Sequence, residues 1–274
     1  MSFSVEPPSG VSEPTPPSLP AGTAPALDAS LASISVLDQT LPSVEENLAL
    51  DETLLMEADE GRAGAVLRFW ESPRLAVVLG ASRRIAEDVR VDECMANSVS
   101  ILRRSSGGGT VVIGPGALNV TMVLPADPAV GLSTVDTAQH YVLTRMADAL
   151  RAPERPVKVL GSGDLTLAGR KFAGSAQRRL RYWFLVHCSI LYAFPLPLIG
   201  RYLNVPSRQP AYRAGRTHDE FLMNLGLSRK ILLSLIQSAW RPPSSFASSP
   251  DVPYDLLRTL LSAKFANRLW VERF

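Results

Sequence analysis

The stretch of this sequence best suited to chemistry is a run of three glycines preceded by two arginines. Gly107, Gly108 and Gly109 stand between two apolar segments, and Arg103 and Arg104 come just before them. Consecutive glycines are costly unless the backbone turns sharply or approaches another molecule closely. Backbone N–H groups exposed in such a loop bind anions, and guanidinium groups suit phosphate or carboxylate. The run therefore indicates an anion-binding loop, and a plain glycine-rich hairpin turn is the alternative.

A lysine between two glycine turns is the second chemical feature. Lys171 lies in a mostly apolar segment, and Asp164 precedes it. A lysine so placed can meet a carboxylate or phosphate, while the aspartate holds Mg²⁺ or orients the lysine. The alternative is a solvated hairpin lysine, which is the usual state of lysine. No GK[ST] sequence and no helix-opening GxGxxG are present, which argues against a Walker loop and a dinucleotide fold.

The two cysteines and the apolar segments bear on the compartment. Cys94 and Cys188 give neither a disulfide framework nor a CxxC metal spacing. A reducing, intracellular setting is the simplest interpretation, and the first residues lack the pattern of a secretory signal. Residues 184–200 are apolar but interrupted by histidine and proline, and too short to cross a membrane. We therefore expect a cytoplasmic protein with no membrane partner.

The elements that position these groups begin after a low-complexity segment. Residues 1–41 are rich in Pro, Ser, Ala and Thr, so they cannot bury enough apolar surface to offset their ordering entropy. We predict a disordered tail over 1–41 and one folded domain over 42–274 with a short helical segment at its end. A capping-box spacing, Ser43 followed by Glu46, predicts the first helix.

Apolar runs and turn residues predict the remaining elements. Strands are expected at 66–70 and 75–80 (as a hairpin), 100–104, 117–125, 158–161 and 182–194, with a second hairpin at 165–174. Helices are expected from Ser133 to Leu150, from Thr217 to Gly226, from Ser228, and near the C-terminus. Because strands and helices mix without a regular βαβ alternation, we predict an α+β fold with a mixed or antiparallel sheet flanked by helices.

Five segments together resemble the lipoate–protein ligase family. RRSSGGGTV (103–111) resembles its lipoate-binding loop, and GRKFAGSAQRR (169–179) resembles its GxKxSGxA lysine segment. NLALDETLL (47–55) is similar to its opening helix, and LRFWESPRLAVVLGASR (67–83) to its first hairpin. LVHCSILY (185–192) stands where the family has an HGTLL-like strand. The order and spacing agree over about residues 44–240.

The resemblance implies a catalytic domain related to the cores of biotin ligases and class II aminoacyl-tRNA synthetases. It implies that ATP and Mg²⁺ convert lipoate or octanoate to an acyl-adenylate. The acyl group would then pass to a lysine of a lipoyl carrier domain, in a 2-oxoacid dehydrogenase E2 subunit or the glycine cleavage H protein. Only a short segment follows residue 240, which leaves no room for the accessory domain of large bacterial ligases, and the need for a separate accessory protein stays open.

The resemblance also implies roles for individual residues. Lys171 would be the catalytic residue, in contact with the activated carboxyl and phosphate, and Asp164 would help to place Mg²⁺. The residues implied to contact ATP and the acyl substrate are Arg103, Arg104, Gly107, Gly108, Gly109, Thr110, Val111, Val112, Asn119 and Ser175.

Three departures from the family pattern weaken the implied reaction. IGPGALN replaces a HD-x-GN-x-N sequence and keeps only Asn119; Gly163 replaces an asparagine; and His187-Cys188 replaces a His-Gly pair. The main alternative is an ATP-independent transferase that moves octanoyl or lipoyl between carriers, with Cys188 as nucleophile. Adjacent residues on a strand point to opposite faces, however, so His187 and Cys188 would not pair directly.

A different class of function, a non-catalytic binding module, rests on a basic region. Its arginines are Arg178, Arg179, Arg181, Arg208, Arg213 and Arg216. We expect this region to be solvated or to dock a carrier rather than nucleic acid, because interleaved aromatics are sparse and no nucleic-acid motif is present. The glycine- and arginine-rich loop typical of biotin ligases is absent from the sequence.

Overall fold

The computed structural model describes residues 34–240 and 251–274, and a mixed sheet lies at its centre. The strands are β1 Ser35–Asp38, β2 Val66–Trp70, β3 Ala76–Leu79, β4 Ser100–Arg103, β5 Val111–Ile113, β6 Ala117–Pro125, β7 Lys158–Leu160, β8 Asp164–Leu167, β9 Arg170–Arg179 and β10 Trp183–Leu191. The larger sheet has the order β1-β2-β6-β10-β9-β8-β7, and only its β1–β2 pair is parallel. The smaller sheet has the order β4-β3-β5, with β3 parallel to β4.

Helices cover the sheets. They are α1 Val44–Asp59, α2 Ile85–Asp88, α3 Val91–Ala96, α4 Val135–Leu150, α5 Pro197–Tyr202, α6 His218–Phe221, α7 Arg229–Trp240, α8 Tyr254–Leu260 and α9 Arg268–Val271. The predicted capping box of α1 is present: the Ser43 side chain accepts from Glu46 N, and the Glu46 side chain accepts from Ser43 N. The predicted α+β fold, a mixed sheet flanked by helices, is confirmed.

Strand β10 shows how the larger sheet divides the molecule. Phe184, Val186, Cys188 and Ile190 point into one apolar core, which α4 and α7 close. The alternate residues, among them His187 and Ser189, point to the other face. That face is turned toward α1 and the smaller sheet, and the gap there holds the polar groups described below.

The predicted tail boundary at residue 41 is wrong. β1 pairs with the edge of β2, and Ile34, Leu37 and Leu41 are buried. The overall composition of residues 1–41 does not indicate this short strand. Its apolar side chains become buried only when the strand pairs with β2. The rest of the tail prediction, residues 1–33, lies outside the described residues.

Two further predictions are corrected, and one is confirmed. Strands 66–70 and 75–80 do not form a hairpin, because β2 pairs with β1 and β6 whereas β3 pairs with β4 and β5. The helix after Thr217 ends at Phe221 rather than near Gly226. The second hairpin is confirmed: Ala168 and Gly169 take φ of 50° and 72°, as a tight two-residue turn requires.

Candidate active site

Two rows of side chains, aligned across four neighbouring strands, form the floor of the site. Direct partners across β9, β10, β6 and β2 give one row of Gly174, Ser189, Asn119 and Trp70. The row beside it holds Ala176, His187, Thr121 and Arg68. Because partners in register project from the same face, both rows look toward α1 and the glycine loop.

A cavity lies over this floor, and its lining changes from apolar side chains at one end to polar groups at the other. Its apolar end, at the β2 side, belongs to one core cluster and is lined by Leu48, Trp70, Val78, Val111 and Ile113. Its polar part, toward β9, is lined by Arg104, Gly109, Thr110, Asn119, Lys171, Gly174, Ser175, Ala176, His187 and Ser189. A wider groove beside Glu57 and residues 252–258 contains none of these groups.

The glycine loop is held from within by Arg104. Its Nη2 donates to Gly107 O at 2.5 Å and to Gly109 O at 2.7 Å, and its Nε donates to Ser106 Oγ at 2.9 Å. Burial of this guanidinium lowers its pKa to about 10. Within the described part of the chain, the exposed amides of Gly107, Gly108 and Gly109 donate no hydrogen bond. The carbonyls of Gly107 and Gly109 are therefore bonded to Arg104 and the loop's N–H groups are left for a ligand, as an anion-binding loop requires.

Where the glycine loop meets the end of β3, two positions have room only for glycine. Gly108 has φ of +82°, and a Cβ there would lie 3.1 Å from Arg104 Nη2. A Cβ at Gly80, just after β3, would lie 2.2 Å from the carbonyl oxygen of Gly108. The loop thus rests directly on the end of β3, with no room for a side chain between the two backbones.

A buried chain of polar groups ties the loop to α1. His187 Nε2 lies 2.5 Å from Ser106 Oγ, and His187 Nδ1 lies 3.7 Å from Asp51 Oδ2. Asp51 also pairs with the fully buried Arg68 at 2.5 Å and accepts from Thr121 Oγ1 at 2.9 Å. Sequence reasoning missed Asp51, Arg68 and Ser106; the one available signal was an arginine inside the apolar strand VLRFW.

Burial and neighbouring charges set the protonation states of Asp51 and His187. Burial raises the pKa of Asp51, but the Arg68 charge and His187 outweigh it and leave that pKa below its ordinary value. Burial lowers the pKa of His187, and the nearby Arg104 charge acts in the same direction against the Asp51 contact. His187 is accordingly a neutral imidazole between a hydroxyl and a carboxylate.

Lys171 stands at the rim of the polar end, with about a quarter of its side chain exposed. Its Nζ lies 2.6 Å from Asp164 Oδ1, and Tyr212 OH donates to Asp164 Oδ2 at 2.6 Å. A Cβ on Gly174 would lie 2.7 Å from Lys171 Nζ, so glycine there gives the lysine its path across the sheet. Tyr212, on the turn Ala211–Arg213, carried no signal in the sequence.

The carboxylate of Asp164, the predicted magnesium ligand, is held by two protein groups. Both of its oxygens already have partners, Lys171 and Tyr212. Within residues 34–240 and 251–274, no cluster of three or more His, Cys, Asp or Glu side chains could hold a metal ion. Asp164 therefore orients Lys171, and its contact with Mg²⁺, which is usually held by one or two carboxylates together with substrate phosphates, stays a prediction.

Arg103 does not reach the cavity. It neighbours Arg104 on the strand and so points the opposite way, where it is fully buried. Its guanidinium donates to Val271 O at 2.7 Å, to Gly80 O at 3.0 Å and to Arg83 O at 2.6 Å. The predicted substrate contact is thus replaced by a structural one, which joins the C-terminal segment to the base of the loop.

Ser175 also turns away from the cavity, which only its backbone borders. It lies opposite Cys188 on the face that α4 covers, where its hydroxyl donates to Gly163 O and accepts from Gln139 Nε2, both at 2.8 Å. A Cβ at Gly163 would lie 2.3 Å from Gln139 Nε2. The replacement of the family asparagine by Gly163 is therefore matched by a glutamine amide in that space.

Of the other residues predicted to contact the substrates, three line the cavity and one does not. Thr110 lines the cavity and donates its hydroxyl to Asp88, and Val111 lines the apolar end. Val112 points instead into a separate apolar core. Asn119 lies in the floor, where its Oδ1 accepts from Ser189 Oγ at 2.6 Å.

Neither cysteine lines the cavity. Cys188 is buried in the apolar core between the sheet and α4, and Cys94 is buried in another core. Burial raises the pKa of Cys188 to about 12, so its thiol stays protonated near neutral pH. The prediction that His187 and Cys188 face opposite sides is confirmed.

The predicted basic region is not one solvated face. Arg213 is buried, and its Nε donates to Arg216 O at 2.9 Å. Arg216 donates to the carbonyls of Arg213 and Tyr212, and both guanidinium groups lie over the ring of Phe221. These arginines stabilise the turn that carries Tyr212.

Similarity to known proteins shows the family of the chain. Residues 43–226 match the family model described as the lipoyl protein ligase A/B catalytic domain. Because the match covers more than half of the chain, the chain belongs to that family. It is an enzyme family of lipoate–protein ligases and octanoyltransferases.

Curated relatives fall into both of those classes. A probable lipoate-protein ligase A of Mycoplasma pneumoniae is 28% identical over 58% of this chain and 45% of its own length. An octanoyl-[GcvH]:protein N-octanoyltransferase of Exiguobacterium sibiricum is 33% identical over 50% of this chain and 51% of its own. The octanoyltransferase LipM of Carboxydothermus hydrogenoformans is 26% identical over 87% and 98%. The chain thus spans about half the length of the first two relatives.

Solved structures show the same fold. A bi-partite lipoate protein ligase of Thermoplasma acidophilum, described with its E2 lipoyl domain, superposes with a TM-score of 0.73 at 20% identity, over 88% of this chain and 96% of that one. A lipoate-protein ligase A bound with ATP gives 0.72 at 19% identity, over 88% and 98%. In the part of this chain that the structure describes, no helix has the length and apolarity to cross a membrane.

Proposed function

We propose that the chain is an ATP-dependent lipoate–protein ligase, which activates lipoate or octanoate as an acyl-adenylate and transfers the acyl group to a lysine of a lipoyl carrier domain. The observation that carries this proposal is the position of Lys171, at the polar end of a cavity whose other end is apolar. An amphipathic acid such as lipoate has the same division, a carboxylate followed by an apolar chain.

The glycine loop supports the nucleotide part of the proposal. Its exposed amides adjoin Arg104, and Arg104, Gly109 and Lys171 all line the same cavity. Phosphate oxygens that reach this loop meet N–H donors without moving any of the loop's own hydrogen bonds. Preorganised donors of this kind stabilise charge as it develops in a transition state.

The reaction divides into two steps. In the first, a carboxylate oxygen of the acid attacks the α-phosphorus of ATP, and pyrophosphate leaves with the bonding electrons. In the second, the neutral amine of the carrier lysine attacks the acyl carbon, AMP leaves with the bonding electrons, and the nitrogen releases one proton to solvent as the amide forms. The Lys171 ammonium, released from Asp164, stabilises negative charge on the carboxyl and phosphate oxygens in both steps.

The cysteine-dependent transferase is the alternative, favoured by the relatives described as octanoyltransferases. It requires a thiolate that can reach the acyl carbon. Among the described residues both cysteines lie in apolar cores, and the pKa of Cys188 is raised to about 12 by burial. These facts support a ligase over a transferase that uses Cys188.

The proposal is tested with purified protein, an apo lipoyl domain, lipoate and Mg²⁺, with and without ATP. We expect the carrier mass to rise by one lipoyl group only when ATP is present. Octanoyl-carrier as donor, in place of free acid and ATP, is the matched arm for the transferase. Modification in that arm without ATP would contradict the ligase proposal.

The partner is proposed from the same relatives. One solved neighbour is described with its E2 lipoyl domain, and several relatives are named octanoyl-[GcvH]:protein N-octanoyltransferases. The acceptor lysine of such a carrier would approach the acyl group at the rim of the cavity, where about a quarter of the Lys171 side chain is exposed. Offering both carriers in parallel, each with its acceptor lysine changed to arginine as control, identifies which one is modified.

A further inference from the structure

The turn that carries Asp164 is held from the face of the sheet opposite to the cavity. Residues 161–163 join β7 to β8, and Asp164 is the first residue of β8. Gly163, just before it, is buried, and its carbonyl oxygen accepts from both Ser175 N and Ser175 Oγ at 2.8 Å. The position of the Asp164 carboxylate is therefore set in part by two hydrogen bonds to the preceding residue.

Gln139 completes this connection from α4. Its Nε2 donates to Ser175 Oγ at 2.8 Å. A hydroxyl group has a single hydrogen, and that of Ser175 goes to Gly163 O, so the amide of Gln139 fixes the direction in which the hydroxyl donates. A Cβ at Gly163 would lie 2.3 Å from Gln139 Nε2 and 2.6 Å from Ser175 Oγ. The two side chains thus occupy the space beside the turn that a larger residue would take.

The other end of the turn contacts Tyr212. Gly161 has φ of +60°, and a Cβ there would lie 3.4 Å from the Tyr212 ring. The Tyr212 hydroxyl donates to Asp164 Oδ2, and Asp164 Oδ1 lies 2.6 Å from Lys171 Nζ. The turn is therefore held at both ends: Tyr212 fixes the carboxylate directly, whereas Gln139 fixes the backbone that carries it.

We propose that Gln139 is a positioning residue for acyl transfer, which holds the turn so that Asp164 directs Lys171 toward the carboxyl and phosphate groups of the substrates. This inference rests on the proposed function and extends it to a side chain on the far face of the sheet. Because lysine is a point charge on a flexible stem, a fixed partner decides where that charge lies. A misplacement of about 1 Å can lower a rate by about 10².

Gln139→Ala tests the proposal in the ATP-dependent transfer of lipoate to a carrier domain by the full chain. We expect kcat to fall about tenfold or more, with the KM for the carrier and the thermal midpoint close to their wild-type values. Gln139→Glu keeps the length of the side chain and removes the donor. It should lose as much activity, because its carboxylate draws the Ser175 hydroxyl away from Gly163 O.

A double-mutant cycle shows whether Gln139 acts through Asp164. Rates are compared in single turnovers, which resolve slow variants. In an Asp164→Asn background, Gln139→Ala should have little further effect, because the carboxylate that it positions is already gone. Equal losses in the two backgrounds would mean that Gln139 acts by another route and would overturn the proposal.

Gln177→Ala is the matched control. Gln177 lies two residues beyond Ser175 on β9 and so on the same face of the sheet. Its Oε1 and Nε2 are buried and have no hydrogen-bond partner within residues 34–240 and 251–274. We expect a normal kcat from this variant.

The outcomes separate this inference from the proposed function. An unchanged kcat in Gln139→Ala, or an equal loss in Gln177→Ala, overturns the positioning role while the wild type still transfers the acyl group. Absence of ATP-dependent transfer by the wild type overturns the proposed function and the inference with it.

Discussion

At the scale of single residues, the charged side chains of the site are already bonded to other groups of the protein. Asp164 is shared between Lys171 and Tyr212, and Arg104 is bonded to the loop that it supports. A substrate anion can draw Lys171 away from Asp164, because Tyr212 remains to stabilise the carboxylate. Arg104 cannot be released in this way without loss of the loop, so its contribution to ligand binding is to position the loop's amides.

Lys171→Ala is the most direct residue-level prediction. Loss of one charge-stabilising contact in a transition state typically lowers the rate by about 10²–10³. We expect that loss in acyl transfer, with an unchanged thermal midpoint because the lysine is partly exposed at the rim. Lys158→Ala, on an exposed position of β7, is the matched control. Near-normal turnover by Lys171→Ala would remove this lysine from the chemistry.

His187 predicts a pH dependence of stability. Burial holds its folded pKa below the ordinary 6.5, so below that pH the unfolded chain binds a proton that the folded chain does not. The free energy of unfolding should therefore fall as the pH is lowered from about 7.5 to 5.5, by at most about 1.4 kcal/mol per pH unit from this group. His218, whose pKa is lowered by burial too, adds to the same slope.

The variant His187→Gln isolates this contribution, because His218 is present in both proteins. Denaturant unfolding at several pH values should show a shallower decline for the variant than for the wild type. Identical slopes would mean that His187 titrates alike in the folded and unfolded states, contrary to its position between Ser106 and Asp51.

At the scale of elements, the glycine loop is held against strands of both sheets. It follows β4, rests on the end of β3 at Gly80, and covers the face of β9 and β10. The buried chain from Ser106 through His187 to Asp51 links it to α1. Its conformation is therefore fixed by three elements before any ligand binds, which is what a preorganised anion site requires.

Gly108→Val tests that conformation. A side chain at φ of +82° is strained by about 1–3 kcal/mol, and its Cβ would also crowd Arg104 Nη2 at 3.1 Å. We expect a folded variant whose affinity for ATP, measured by calorimetry, drops about tenfold or more. Gly61→Val has the same kind of positive φ, 73°, with open space around it. It should show a similar loss of stability and normal ATP affinity, whereas normal affinity in Gly108→Val would reduce the loop to a turn.

The sequence predicted most of the strands, the capping box of α1 and the second hairpin because each rests on local signals. The capping-box spacing of Ser43 and Glu46 and the hairpin turn at Ala168-Gly169 are examples. It did not predict which way a side chain turns within a motif: Arg103 and Ser175 belong to the matched motifs, yet their side chains point away from the cavity. Partners distant in sequence, such as Tyr212 for Asp164, depend on packing that no local pattern records.

At the scale of the whole molecule, both ends of the described chain brace the site. β1 completes the edge of the large sheet beside β2, which carries Arg68 and Trp70 to the cavity floor. The C-terminal segment reaches the base of the loop through Arg103, which bonds Val271 O, while Trp270 Nε1 donates to Arg103 O at 2.9 Å. Lys264 pairs with Glu52 of α1 at 2.6 Å.

Two N-terminal truncations separate the tail from the fold. A chain that begins at Ile34 should keep the wild-type free energy of unfolding, as the composition of residues 1–33 predicts. A chain that begins at Pro42 loses β1 with the buried side chains of Ile34, Leu37 and Leu41. It should be less stable by more than about 3 kcal/mol in denaturant unfolding. Equal stability of the two truncated chains would show that β1 contributes nothing.

The central claim is that the acyl group is activated on a nucleotide and not on a cysteine. The most direct measurement offers the full chain lipoate and ATP without any carrier, then analyses the quenched mixture and the intact protein by mass spectrometry. We expect lipoyl-adenylate from the wild type and equally from Cys188→Ser, little from Lys171→Ala, and no acyl group on the protein. A second sample of the same protein receives an octanoyl carrier and no ATP, and an acyl-thioester on Cys188 in that sample would contradict the account.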